Sequence, residues 1–370
     1  MWLERAFHKL LLNFTWWVNR KDSDGENLFE GGFLGLDNIG VFNRSDPELW
    51  KSSEADEGLW RKLEQADATA WVAMFCLNML EIALELALHN RAYEDIASKF
   101  LEHFVTISAR ITGNGEGGDS GLWDEETGFF YDRLRTSKDG SVPPAFVRLR
   151  SFVGLIPLYA VTTISASSLR ALPSFARRLQ WFMRHRRGMV QGHLRWWGPA
   201  LHSLEEAEAD TVHDPETGLV VHSLATCSVD RFATWVMGPG HAAEHVRHQT
   251  SVPQMDVGSS QDFGPSMGPL EDEALSTSNT GTLLLSLVSP EQLTRLGERL
   301  CDTEQFMSPY GLRSLSKEYE RTPFHFTHGK FSNSVAYGAA ESTSPMFGGN
   351  SSWRGPVWAP VRCCKLLPCY

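Results

Sequence analysis

Asp37 is a single carboxyl group set among glycines and apolar side chains, in Gly31-Gly32-Phe33-Leu34-Gly35-Leu36-Asp37-Asn38-Ile39-Gly40. Surroundings of low polarity disfavour the charged form and raise a carboxyl pKa. A carboxylic acid kept protonated near neutrality can protonate a leaving glycosidic oxygen, the general-acid half of glycoside hydrolysis. The local sequence by itself favours a plainer role, a turn residue whose carboxylate accepts from nearby backbone N–H groups.

Two aromatic clusters carry chemistry that suits the same reaction. Trp16-Trp17-Val18-Asn19-Arg20-Lys21-Asp22 and Trp353-Arg354-Gly355-Pro356-Val357-Trp358 place flat apolar faces beside charged hydrogen-bonding groups, the combination a sugar ring needs. Core packing accounts for both clusters equally well. Other patterns are weaker. His241-Ala242-Ala243-Glu244-His245 has the H-x-x-E-H spacing of zinc hydrolases, with His248 close by. Gly238-Pro239-Gly240 precedes it, no apolar stripe would hold such a helix in a core, and the chain has 13 histidines, so an exposed loop helix is the better reading and no metal is assigned. Gly113 to Gly118 matches G-x-G-x-x-G, but it follows a helical stretch and precedes acidic residues that would repel a pyrophosphate, so no nucleotide cofactor is expected.

Composition narrows the partners. The 370 residues carry a formal charge of −11, which opposes binding to a phosphate backbone. The dense basic run Arg184 to Arg187 reads as a solvated helix end. No stretch reaches the roughly 18 uncharged apolar residues of a membrane span, since the longest candidate, Ala68 to Leu88, contains Glu81 and Glu85. The N-terminus lacks the layout of a signal peptide. A protein without nucleic-acid or membrane partners is expected, in the cytoplasm. Six cysteines are too few for a disulfide scaffold and read as structural thiols.

The elements that must position these residues read as helices. Ala68 to Asn90 is apolar almost all round, as an inner helix requires. Ile96, Phe100, Phe104, Ile107 and Ile111 form one stripe along Tyr93 to Ile111, an outer helix. Further helices are expected over Leu3 to Val18, Arg148 to Thr163, Ser174 to Arg186 and Pro290 to Leu300. The last has Ser289, Pro290 and Gln292 in a capping-box arrangement. No long series of alternating strands is evident. The Gly-, Pro- and Ser-rich stretch at about 238–280 reads as a long loop or insertion.

Several blocks resemble the catalytic domain of glycoside hydrolase family 63. They are Trp17 to Asp22 with Asn27 to Phe42, Glu64-Gln65-Ala66-Asp67-Ala68-Thr69-Ala70-Trp71, Leu122-Trp123-Asp124 with Gly128 to Asp132, Ser308 to Ser316, and Phe347 to Asn350 with Trp353 to Trp358. The resemblance implies an all-α fold, an (α/α)6 barrel over residues 1–361, and inverting hydrolysis of α-glucosides or α-mannosides. It implies Asp37 as general acid, and Trp17, Asp22, Asp67, Trp353, Arg354 and Trp358 as sugar contacts or their supports. The substrate would be an α-linked oligosaccharide or a glycosyl-glycerate, and no cofactor is required.

Family members continue beyond the residue matching Trp358 with further helices and a late general-base glutamate, whereas residues 362–370 diverge. The sequence reading therefore expects an incomplete barrel with impaired turnover and self-association through uncovered helix flanks. Glu341 is the candidate remaining for the base. Carbohydrate binding without catalysis is the alternative, and a zinc hydrolase built on His241 and His245 a distant one.

Overall fold

Phe7, Phe14 and Trp17 lie seven and three residues apart, a spacing that sets them on one face of the Trp2–Arg20 helix, and all three are buried. Phe7 meets Tyr93 and Phe100 edge-on at 5.6 and 6.1 Å, while Phe14 meets Phe75 at 5.4 Å and Phe100 at 5.0 Å. The first helix thus packs on two others, Ala66–Ala87 and Tyr93–Thr112. These contacts come from a computed structural model that describes residues 2–20, 25–30, 40–42, 62–113, 121–137, 141–198, 211–213, 220–223, 281–328 and 331–338.

Ala66–Ala87 buries Ala66, Ala70, Ala73, Ala83 and Ala87 beside Leu77, Leu80 and Met79, so small side chains let neighbours approach closely. Its thiol, Cys76, is free and buried. The helix is long and apolar enough to cross a bilayer, but 61% of its most apolar window is buried inside the protein, as in a core helix. Tyr93–Thr112 buries Phe100, Phe104, Ile107 and Ile111 and ends on Gly113, whose φ of +80° is the left-handed cap that favours glycine.

The chain divides into two compact units. The first comprises Met1–Thr162, Gly188–His193 and Ser286–Tyr370. Besides the three helices it holds an antiparallel sheet of Lys62–Glu64, Asp132–Arg135 and Ala145–Val147, with Asp132–Arg135 central. It also holds the hairpins Trp123–Asp124 with Phe129–Phe130, Met307–Ser308 with Gly311–Leu312, and Phe324–His328 with Phe331–Val335. The Pro290–Cys301 helix starts with the expected capping box: Gln292 N–H donates to Ser289 Oγ at 3.2 Å and Ser289 N–H to Gln292 Oε1 at 3.1 Å.

The second unit, Thr163–Arg187 with Leu194–Leu285, holds the helices Ala166–Ala171 and Pro173–His185. The latter buries Phe175, Leu179, Phe182 and Met183 along one face. Its sheet runs in the order Val161–Ser165, Thr282–Ser286, Leu194–Gly198, Val220–Ser223, Thr211–His213, the three residues Val161, Thr162 and Ser286 being assigned to the first unit.

The all-α expectation is therefore wrong. Strands in several small sheets accompany the helices, so the architecture is mixed α and β and not an (α/α)6 ring. The expected helix over Arg148 to Thr163 shows why. A short run apolar at nearly every position carries no period that separates helix from strand. Pro157 lacks the N–H of a regular helix, and Val161, Thr162, Thr163 and Ile164 are all β-branched. The observed path is a 3-10 helix, Phe152–Tyr159, capped by Ser151 and followed by the Val161–Ser165 strand. In that strand Val161 faces out and Thr162 in, which hides the alternation. The insertion expected at about 238–280 and the tail at 362–370 lie outside the described residues.

Candidate functional site

The N-terminus of the Ala66–Ala87 helix brings together residues of three separate stretches of the chain, around Phe29, Gln65 to Thr69 and Asp132. Its leading residue, Gln65, is extended and makes no side-chain cap, so the first turn needs acceptors from elsewhere. Asp132, sixty-six residues on, supplies one: Ala66 N–H donates to its Oδ1 at 2.9 Å. Asp67 supplies another, accepting from Ala68 N–H at 2.8 Å. Asp67 is fully buried, and a carboxylate in a first helical turn is favoured by the helix dipole.

The Phe29 segment is tied to the same turn on both its polar groups. Phe29 N–H donates to Thr69 Oγ1 at 2.9 Å, and Gln65 N–H donates to Phe29 O at 3.2 Å. Leu28 and Phe29 are buried, so these are interior bonds. Three blocks from distant parts of the chain thereby share one helix end.

An ion-pair ladder runs beside it. Glu64 accepts from Arg133 Nε at 2.7 Å through one oxygen and from Arg135 Nη2 at 2.6 Å through the other. Arg135 also reaches Glu26 at 2.8 Å, and Glu26 pairs with Arg110 at 2.8 Å. Lys62 lies 3.7 Å from Glu30. The strand period produces this: Lys62 and Glu64 fall opposite Arg135 and Arg133 in antiparallel register.

Glu26, Glu64, Asp132, Arg133 and Arg135 have no role assigned from the sequence, although Glu64 and Asp132 lie within the stretches compared above. The available signal was the spacing of Arg133 and Arg135, two apart as a strand places them. Such an arrangement fixes backbone and holds carboxylates in defined positions. By itself it contains no exposed acid–base pair.

Of the residues singled out from the sequence, Asp67 sits in this cluster. Trp17 is buried in the helical layer, its ring edge-on to that of Trp16 at 5.0 Å. Asp22, Asp37, Glu341, Trp353, Arg354 and Trp358, and also His241 and His245, lie outside the described residues. Among the described residues no group of three His, Cys, Asp or Glu side chains is placed to hold a metal ion.

No protein-family model matches the chain, and no solved structure matches it. The chain is 39% identical over 369 residues to Uncharacterized protein YMR196W of Saccharomyces cerevisiae. That similarity takes in 97% of this chain and 26% of the relative, so the chain spans about a quarter of the length of the curated relative it matches.

Proposed function

We propose that this chain acts on α-glucosidic or α-mannosidic bonds, hydrolysing them with inversion through two carboxyl groups. Asp37 protonates the leaving oxygen, and Glu341 is the candidate in this chain for activating water on the opposite sugar face. Trp353, Arg354 and Trp358 contact the sugar, with Asp22 nearby in the other aromatic cluster, and Asp67 acts from its buried place as a support. The observation that supports this reading is the meeting of Phe29, Gln65 to Thr69 and Asp132 at one helix end. Residues of three blocks that resemble family 63 are held together there by hydrogen bonds, the one from Phe29 to Thr69 buried and the one from Ala66 to Asp132 part-buried, and Asp37 follows Phe29 by eight positions. This role for the blocks does not depend on an all-helical ring.

The test is an assay of the purified protein on α-glucosides and α-mannosides, mannosylglycerate included, with the anomer of the product read by NMR. Asp37→Asn is expected to lower turnover by about 10²–10⁴-fold with the fold retained. Arg354→Ala and Trp353→Ala are expected to weaken sugar binding more than they lower the melting temperature. Turnover of the Asn variant close to that of the native chain overturns the assignment of Asp37. Sugar binding with no turnover replaces hydrolysis by carbohydrate binding, and neither binding nor turnover overturns the reading as a whole.

A further inference from the structure

Three arginines, Arg148, Arg295 and Arg299, reach the hairpin Trp123–Asp124 with Phe129–Phe130; a fourth, Arg150, pairs with Glu318, and all of these but Arg299 have carboxylate partners. Arg148 Nε lies 2.9 Å from Asp124 Oδ2 and its Nη2 lies 2.7 Å from Glu126. Arg295 reaches Glu125 Oε2 at 3.1 Å, with its guanidinium 5.6 Å from the Trp123 ring centre. Arg150 Nη1 donates to Glu318 Oε2 at 2.7 Å. Arg299, one turn beyond Arg295 on the same helix, differs. Its acceptors are neutral: the Thr127 carbonyl, and Gln305 Oε1 at 3.3 Å.

Arg299 and Arg150 belong to one cluster. Thr127, which accepts from Arg299, donates its hydroxyl to Tyr131 OH at 3.1 Å. On the other side Gln305 O accepts from Lys317 N–H at 3.1 Å, which brings Arg299's second partner next to Glu318. Arg150 N–H donates to Tyr319 OH at 2.9 Å. Burial, followed by the Arg150 charge, lowers the Arg299 pKa. Burial also acts to lower that of Arg150, but Tyr131 and Glu318 outweigh it.

Three polar atoms of this cluster are buried with no protein hydrogen-bond partner. Two are donors on cations, Arg150 Nε–H and Arg299 Nε–H, and one is an acceptor on an anion, Glu318 Oε1. Buried polar groups are ordinarily paired, and orphaned ones ask for a partner. One group has the chemistry to satisfy all three: an oxyanion whose oxygens accept from guanidinium N–H groups and which keeps one O–H to donate to a carboxylate.

We propose that Arg150, Arg299 and Glu318 bind a monoprotonated phosphate group. Phosphate retains a P–OH that Glu318 Oε1 can accept from, whereas sulfate at neutral pH has no proton and would place two anionic oxygens together. The site therefore selects phosphate over sulfate, although both suit the arginines. Arg150 and Glu318 are 25% and 31% exposed, so the pair borders solvent, and binding requires these side chains to turn and open inner atoms that are buried here.

The experiment is calorimetric titration and thermal melting of the full chain with inorganic phosphate, methyl phosphate and sulfate at matched ionic strength. Saturable phosphate binding is expected, with sulfate weaker by about tenfold or more, the worth of one charge-assisted hydrogen bond. Glu318→Gln should bring phosphate and sulfate within about twofold of each other, since an amide can donate to either anion. Arg299→Gln should abolish saturable binding, with circular dichroism to confirm the fold. Arg299→Lys, which keeps the charge without the Nε–H, serves if the Gln variant does not fold and should also bind weakly. Methyl phosphate binding alongside inorganic phosphate identifies a phosphomonoester as an accepted form; binding of inorganic phosphate alone identifies the free ion. No saturable phosphate binding, equal affinity for sulfate in the native chain, or undiminished binding in a folded Arg299 variant overturns the proposal.

Discussion

Glu64 and Arg133 form an ion pair at 2.7 Å in which the carboxylate side chain is 0% and the guanidinium side chain 1% exposed. Sixty-nine residues separate them in the chain, and strand pairing sets them opposite each other. Charges so fully withdrawn from water are stable only while each keeps its partner.

Removal of one partner is accordingly expected to be severe. Glu64→Ala removes the buried carboxylate that accepts from both Arg133 and Arg135 and should destabilise the protein by about 3–5 kcal/mol. Urea denaturation followed by far-ultraviolet circular dichroism measures this. A loss below about 1 kcal/mol would mean that water or another carboxylate takes over, and that the ladder does not hold the helix end.

Two glycines should respond with opposite signs. At Gly154 a Cβ would overlap Phe129 Cε1 and the Phe130 carbonyl oxygen, with Phe129 Cδ1 at 2.8 Å. Gly154→Ala is expected to cost about 1–3 kcal/mol or more, since backbone and a packed ring must both move. Gly297 lies within the Pro290–Cys301 helix with nothing within 4 Å of the added carbon. Gly297→Ala should stabilise by about 0.5–1 kcal/mol through helix propensity. Melting midpoints of the two variants, measured side by side, test the pair.

His103 makes stability depend on pH. It lies on the Tyr93–Thr112 helix with Phe14 edge-on at 5.5 Å. Burial lowers its pKa, with Glu102 acting to raise it and Lys99 to lower it. A folded pKa below the unfolded value of about 6.5 means that the unfolded chain binds the proton more readily. The contribution of neutral His103 is present above that value and is lost as pH falls through it toward the folded pKa. His103→Gln should flatten the slope of stability against pH below about 6.5 by up to one proton. Denaturation midpoints between pH 8 and pH 5 measure it, and an unchanged slope in the variant would assign the dependence to other groups.

Elements whose signal is local are legible in the residues alone. Buried positions three and four apart mark Tyr93–Thr112, and Ser289, Pro290 and Gln292 specify the start of Pro290–Cys301 through bonds that span three residues. The remaining elements depend on contacts between distant segments. The path from Arg148 to Thr163, the two- to five-residue strands and the resulting mixed architecture depend on which neighbours each short segment meets, because so few residues cannot display a period. The same holds for the helix end at Asp67. Its acceptor Asp132, its tether Phe29 and the Glu64–Arg133 pair join residues forty to sixty-nine positions apart, and a charge shows its partner only when the chain has brought the two together.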